Sequence, residues 1–325
     1  NLDITSQALS GTGALRVGFE FLGVHRPGLV YISDPSWANH FPIVEKAGLK
    51  HTKYPYFDAK TNGLNFKGMI ETLSNAPEGS IVLLHACAHN PSGVDPTQQQ
   101  WREIAEVVQK KGLFPFFDSA YQGFASGDLE KDAYPIRLFH ELGLQMIVTQ
   151  SFAKNFGLYG ERIGAIHFVT KSPEVAKKLD SQLSNLYLAN VVFSSILRLI
   201  VRPMYSNPPI HGALIVKKVL GNPEYYKEWE RELKMVSQRI QDMRRLLFEE
   251  LNRLKVKGNW DHIINQIGMF SFTGLTRNTN STLLSSLLYS FSKTMRCLDR
   301  EIPHLLGQKW KNQHGKIIKT RFNTH

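Results

Sequence analysis

The sequence predicts an α/β fold, a mostly parallel sheet covered by helices. Short apolar, β-branched or aromatic runs recur at residues 29–32, 80–85, 113–117, 145–149 and 165–169, which is the length and composition of buried strands. Helical patterns lie between several of them. In residues 97–112, Trp101, Ile104, Ala105 and Val108 share one helix face, and Gly112 ends the pattern. Strands alternating with helices of this length imply parallel pairing, and in such sheets chemistry gathers at the carboxyl ends of the strands.

Composition sets the outer limits. The chain has 325 residues, 42% of them apolar, with 24 Gly, 15 Pro, 2 Cys and a formal charge of +11. That length is a prior for about two domains and that apolar content fills a core, which excludes disorder, collagen and a small disulfide scaffold. Cys87 and Cys297 supply neither a disulfide framework nor a thiolate metal site, so a reducing compartment is expected. The longest apolar stretch, residues 186–201, is interrupted by Asn190, Ser194, Ser195 and Arg198 and is too short and polar to span a bilayer. The charge is uneven. From Arg277 onward nine Lys/Arg face only Asp299 and Glu301. Such a basic tail reads as a solvated segment; the competing reading, a nucleic-acid arm, requires that deleting residues 277–325 abolish salt-sensitive binding.

The remaining segments follow in chain order. SGTGALRVG, residues 10–18, sets hydroxyls and glycines ahead of a helix-compatible run, so bare helix N–H groups could cup an anion; a helix cap without a ligand reads equally well. A dinucleotide fingerprint is set aside because the spacing is wrong and the preceding residues do not read as a strand. Trp37, in DPSWANH, is either core packing or a plate for a planar ring. HACAHNPSGVDP follows a strand and turns at Asn90-Pro91. Zinc on His85, Cys87 and His89 is not expected, since alternation along a strand sends neighbouring side chains to opposite faces. Asp118 ends the strand LFPFF with Tyr121 three residues on; it is either the cap of the next helix or a carboxylate that must meet a cation. One strand later, TQSFAKNFGLYGERIGA surrounds Lys154 with Ser151 and Arg162. A lysine near other cations and partly desolvated has a neutral amine that can form an imine, although most lysines are surface charges. From residue 224 to about 255, Trp229, Leu233, Val236, Ile240, Met243, Leu247 and Leu254 mark one stripe of a long helix that could bridge domains. NQIGMFSFTGL, residues 265–275, reads as a strand opening a smaller domain. A phosphate cup, a stacking aromatic, an acid, a phenol and an imine-forming lysine, all but the cup after an expected strand, are together the parts of a pyridoxal phosphate site.

At this point the chain resembles the aspartate aminotransferases, which are class I, fold type I pyridoxal phosphate-dependent transferases. The motifs are SGTGALR, SWANH, HACAHNPSG, FFDSAYQGFASG, SFAKNFGLYGERIG, RPMYSNPPIHGA and QIGMFSFTGL, spread over residues 4–275. The resemblance implies a large cofactor-binding domain at 1–235, a partial smaller α+β domain at 236–276, and a divergent basic tail at 277–325. It implies that Lys154 forms the imine with pyridoxal 5'-phosphate and moves the proton, that Asp118 keeps the ring nitrogen protonated, and that Tyr121 and Asn90 hydrogen-bond the ring's phenolic oxygen. Trp37 would stack on the ring; Ser10, Gly11, Thr12, Ser151 and Arg162 would hold the phosphate. Asn90 and Trp37 would also touch substrate. Arg202, in RPMYSNPP, would reach the neighbouring subunit's site and pair with the side-chain carboxylate of aspartate or glutamate, which implies a homodimer. No metal and no membrane contact are implied. The reaction would be ping-pong transfer between L-aspartate and 2-oxoglutarate, giving oxaloacetate and L-glutamate.

The wording of RPMYSNPP resembles the mitochondrial branch, so a matrix location is expected, with the cytoplasm as the alternative. Departures from the family accompany these expectations. Its N-terminal portion and a targeting segment have no counterpart here, a stretch at about 184–197 is extra, and the motif match breaks near Thr276, ahead of the arginine that clamps the substrate α-carboxylate. The alternative to an active enzyme is therefore a homologue that binds the cofactor without turnover.

Overall fold

The computed structural model describes residues 4–170 and 199–272. The chain divides into two compact units, Asn1–Thr273 and Gly274–His325. The basic tail and the extra stretch at 184–197 lie outside the described residues.

The order of elements is β1 (Ile4–Leu9), α1 (Ser10–His25), β2 (Val30–Asp34), α2 (His40–Lys46), β3 (His51–Pro55), the short pair β4 (Phe57–Asp58) and β5 (Gly63–Leu64), α3 (Phe66–Ser74), β6 (Ile81–His85), α4 (Gln98–Lys110), β7 (Phe114–Ser119), α5 (Leu129–Asp132), α6 (Tyr134–Glu141), β8 (Met146–Ser151) and β9 (Ile163–Val169). Helical residues 199–205 follow, then α7 (Ile210–Leu220), α8 (Pro223–Arg253) and α9 (Asp261–Asn265). Seven strands form one sheet in the order β1-β9-β8-β7-β6-β2-β3. β3, β2, β6, β7 and β8 run parallel; β9 is antiparallel to β8 and to β1.

Alternation along the strands builds two cores. Val30, Ile32, Ile81, Leu83, Phe116 and Ile147 face one way, onto Leu15, Phe19 and Leu22 of α1. Tyr31, Val82, Leu84, Phe117 and Val148 face the other, onto Met69 and Leu73 of α3, Trp101 and Ile104 of α4, and Phe139 of α6. Thr97 caps α4 in a reciprocal box with Gln100, which satisfies two orphan N–H groups at the helix start. Among the described residues no helix is long and apolar enough to cross a membrane.

Two expectations are corrected. Residues 4–9 do form a strand. ITSQAL carries little apolar signal because β1 is an edge strand whose ladder is supplied by β9, with Ile4 opposite Phe168 and Leu9 opposite Ile163. The second correction concerns residues 265–275. The described part is the end of α9 and an irregular turn, not a strand. Its carbonyls are taken by a side chain instead: the Arg244 guanidinium donates to Ile263 O at 3.0 Å, to Gly268 O at 2.9 Å and to Phe270 O. Gly268 sits at φ +81° with a Cβ position 2.4 Å from Ala88 Cβ, a close approach that a side chain would block. The boundary expected at 235/236 falls inside α8.

Candidate functional site

The site follows from strand parity. Counting by twos from the α1-facing residues Leu83, Phe116 and Ile147 reaches His85, Asp118 and Ser151 at the carboxyl ends of β6, β7 and β8. All three line one cavity together with Ser10, the first residue of α1. The strand order reverses between β2 and β6, and the crevice outside such a switch point is where an open α/β sheet has room for a ligand. A cavity of ≈ 290 Å³ lies there.

Every cofactor-contacting residue expected from the sequence lines it: Ser10, Gly11, Thr12, Trp37, Asn90, Asp118, Tyr121, Ser151, Lys154 and Arg162. At one end, α1 begins at Ser10 with no side-chain cap and no acidic residue in its first turn. Its first N–H groups are therefore free of a competing side-chain acceptor, and the helix dipole favours an anion. Ser10 Oγ and Ser151 Oγ are 3.0 Å apart, and the Ser10 N–H donates to Arg162 O at 3.1 Å, bringing the guanidinium's segment beside the helix start. Gly164 makes that approach possible: its Cβ position would be 2.5 Å from the Ser10 carbonyl carbon.

Asp118 lies at the other end. Burial raises a carboxyl pKa, yet that of Asp118 is held below the usual range by the His40 hydrogen bond and by the Lys154 cation. The support is a chain of hydrogen bonds. The Asn90 backbone N–H donates to His85 Nδ1 (3.3 Å), His85 Nε2 faces Ser36 Oγ (3.2 Å), Ser36 Oγ faces His40 Nδ1 (2.9 Å), and His40 Nε2–H donates to Asp118 Oδ2 (2.9 Å). With an N–H at one end and a carboxylate at the other, the intervening groups order themselves donor to acceptor. Burial pushes the His85 pKa down to about 3, which keeps its ring neutral and fits that polarity.

Lys154 Nζ stands 4.6 Å over the Tyr121 ring. Burial lowers its pKa, Asp118 opposes the change, and Arg162 adds to it. Burial raises the Tyr121 pKa, against a hydrogen bond from the Asn90 side chain. The cavity thus joins an anion-binding helix start, a buried carboxylate and an amine whose charged form is disfavoured. These are complementary to the phosphate, ring nitrogen and aldehyde of pyridoxal phosphate, so the residues present fit that group.

Ser36, His40 and Phe270 were not singled out from the sequence. Ser36 and His40 are four apart in SWANH, a spacing that aligns side chains across a helical turn and is the one signal that could have found them. Phe270 meets Tyr121 edge-on at 6.1 Å through a turn that sequence patterning read as a strand. His89 lies between Ser33 and Ser92, and Cys87 is a buried free thiol. Arg202 is exposed on helical residues 199–205 and does not line the cavity.

The family model for aminotransferase class I and II matches residues 3–306, continuing past the point near 276 where the quoted motifs end. Aspartate aminotransferase 3, chloroplastic, of Arabidopsis thaliana is 54% identical over 83% of this chain and 58% of that protein. The mitochondrial aspartate aminotransferase of Gallus gallus is 49% identical over 84% of this chain and 62% of that protein. A solved mitochondrial aspartate aminotransferase from Trypanosoma brucei superposes with TM-score 0.79 at 45% identity, covering 87% of this chain and 71% of that one. Cytoplasmic, mitochondrial and chloroplastic relatives lie at similar identity, and the chain spans about 58–64% of the length of the first curated relatives. The α/β fold, the parity that brings three strand ends to one helix start, and the match across 3–306 agree: the chain belongs to the class I and II aminotransferases.

Proposed function

We propose that this chain carries the pyridoxal phosphate site of an aspartate aminotransferase, exchanging amino groups between L-aspartate and 2-oxoglutarate. Lys154 carries the reading. It is a lysine whose ammonium form burial disfavours, in the same cavity as a carboxylate held ionised and an uncapped helix start.

When bound, the cofactor supplies an aldehyde for an amine and a ring that accepts electrons from a substrate α-carbon. The start of α1, Ser10, Gly11, Thr12, Ser151 and Arg162 bind its phosphate; the guanidinium fork suits two oxygens at once. Asp118, supported by His40, holds a proton at the ring nitrogen. Tyr121 and Asn90 donate to the phenolic oxygen and Trp37 packs on the ring face. Lys154 would be the amine that condenses with the aldehyde, with loss of water, and its neutral form would be the base that moves a proton at the substrate α-carbon. Arg202, left exposed, is available to a second subunit, where it would pair with the distal carboxylate of a dicarboxylic substrate; this supports a homodimer, to be read by sedimentation. The RPMYSNPP wording supports a mitochondrial location, to be read by fractionation.

Borohydride reduction of the chain mixed with pyridoxal phosphate, followed by peptide mass spectrometry, tests the reading. The label is expected on Lys154; a label elsewhere, or none, overturns it. A second reading is favoured by the cavity's cations. Among the described residues they are Lys154 and Arg162, both assigned to the cofactor, which leaves none for a substrate α-carboxylate. On that reading the cofactor binds without turnover, and L-aspartate leaves the absorbance of the loaded protein unchanged. Conversion to the pyridoxamine spectrum selects the active enzyme.

A further inference from the structure

The loop between β6 and α4 is organised around a carboxylate that the mechanism above does not use. Asp95 reaches back along its own loop and accepts the Ala88 N–H at 2.6 Å on one oxygen and the His89 N–H at 2.9 Å on the other. Ala88 is at φ +49°, a left-handed conformation that a non-glycine residue keeps only where its surroundings impose it. After His89 comes Asn90, whose backbone N–H goes to His85 Nδ1 and which lines the cavity together with Tyr121. The rest of the loop is fastened from outside: the His89 ring stacks on Tyr56 at 3.8 Å, and the Tyr56 hydroxyl donates to Val94 O at 2.8 Å.

We propose that Asp95 is a positioning residue, which by gripping the two amides ahead of Asn90 fixes the Asn90 side chain in the cavity. The proposal rests on the function proposed above. Two charge-assisted N–H bonds to one carboxylate constrain consecutive peptide planes, and those planes set where the Asn90 Cα–Cβ bond points. In the loaded protein a donor at the cofactor's phenolic oxygen stabilises the form with more negative charge there, lowering the pH at which the lysine adduct loses its proton. A displaced Asn90 raises that pH.

The test uses the full chain loaded with pyridoxal phosphate, with Asp95→Ala, the isosteric Asp95→Asn, Asn90→Ala and the double variant Asp95→Ala/Asn90→Ala. Amide exchange at Ala88 and His89 should quicken in both Asp95 variants while the β6 and β7 amides stay protected. The pH midpoint of the cofactor's absorbance change should rise by about 1 in Asp95→Ala, by less in Asp95→Asn, and no further in the double variant than in Asn90→Ala alone. An unchanged midpoint in both Asp95 variants, or rises that add fully in the double variant, overturns the positioning role. Borohydride labelling of the wild type separates the two failures. Label on Lys154 with an unmoved midpoint overturns Asp95 alone, whereas no label on Lys154 overturns the cofactor reading and this proposal with it.

Discussion

At the carboxyl end of the sheet, polar side chains are buried and partnered; along α8, apolar side chains are exposed. His40 is fully buried, yet it joins Ser36 to Asp118 through hydrogen bonds of 2.9 Å. On α8 and its C-terminal cap, Met243, Leu247 and Leu254 are 43%, 47% and 57% exposed, although they belong to the same sequence stripe as Leu233, which is 4% exposed. Each region inverts the usual distribution of polar and apolar groups. The first shows that buried polarity is sustained where every partner is present. The second shows that an amphipathic stripe specifies a helix without specifying what covers it. α4 is the control: its stripe of Trp101, Ile104, Ala105 and Val108 is buried throughout, because the sheet and α6 lie against it.

Substitutions test that contrast. His40→Ala should have the largest effect, about 3 kcal/mol in urea unfolding, because it strips the hydrogen bond from a buried carboxylate. A cost near zero would mean that water replaces the imidazole and the network is not closed. Leu233→Ala should cost about 2–3 kcal/mol, as expected for a buried leucine whose Cδ2 lies against Gly123. Asp95 supplies a pH arm. Burial raises its pKa to about 6, from an unfolded value near 3.8. Between those values the folded state binds more protons than the unfolded one, so this group's contribution to stability falls as pH rises from about 4 to about 6 and is flat above. The difference in unfolding free energy between wild type and Asp95→Asn should follow that window, and a flat difference would remove the desolvation argument. Leu247→Ala should cost the least, under about 1 kcal/mol, since the side chain is half in water already. A loss as large as that of Leu233→Ala would show that this face of α8 is covered in solution.

Much of the cavity was legible before the structure. Lys154, Asp118, Asn90 and Trp37 each follow an apolar run, and the ends of parallel strands converge by geometry alone. Ser36 and His40 were less visible, because a single pair four apart in a short polar segment is a weak signal that acquires meaning only once β2, β6 and β7 are side by side. Residues 4–9 were missed as a strand for a related reason: half of that signal resides in β9, some 160 residues away. The turn at 266–272 was misread because Ile267, Met269, Phe270 and Phe272 give it the apolar and aromatic content of a strand, while Arg244 bonds its Gly268 and Phe270 carbonyls.

By itself the amino-acid sequence determined the alternation of buried strands and helices, and the residue types that stand at the strand ends. Both are local, written in side-chain volume, polarity and spacing over a few residues. The tertiary structure alone decided which donor meets which acceptor: Arg244 with the 263–270 carbonyls, His40 with Asp118, β1 with β9. Hydrogen bonds act over about 3 Å, and only folding brings groups tens or hundreds of residues apart within that reach.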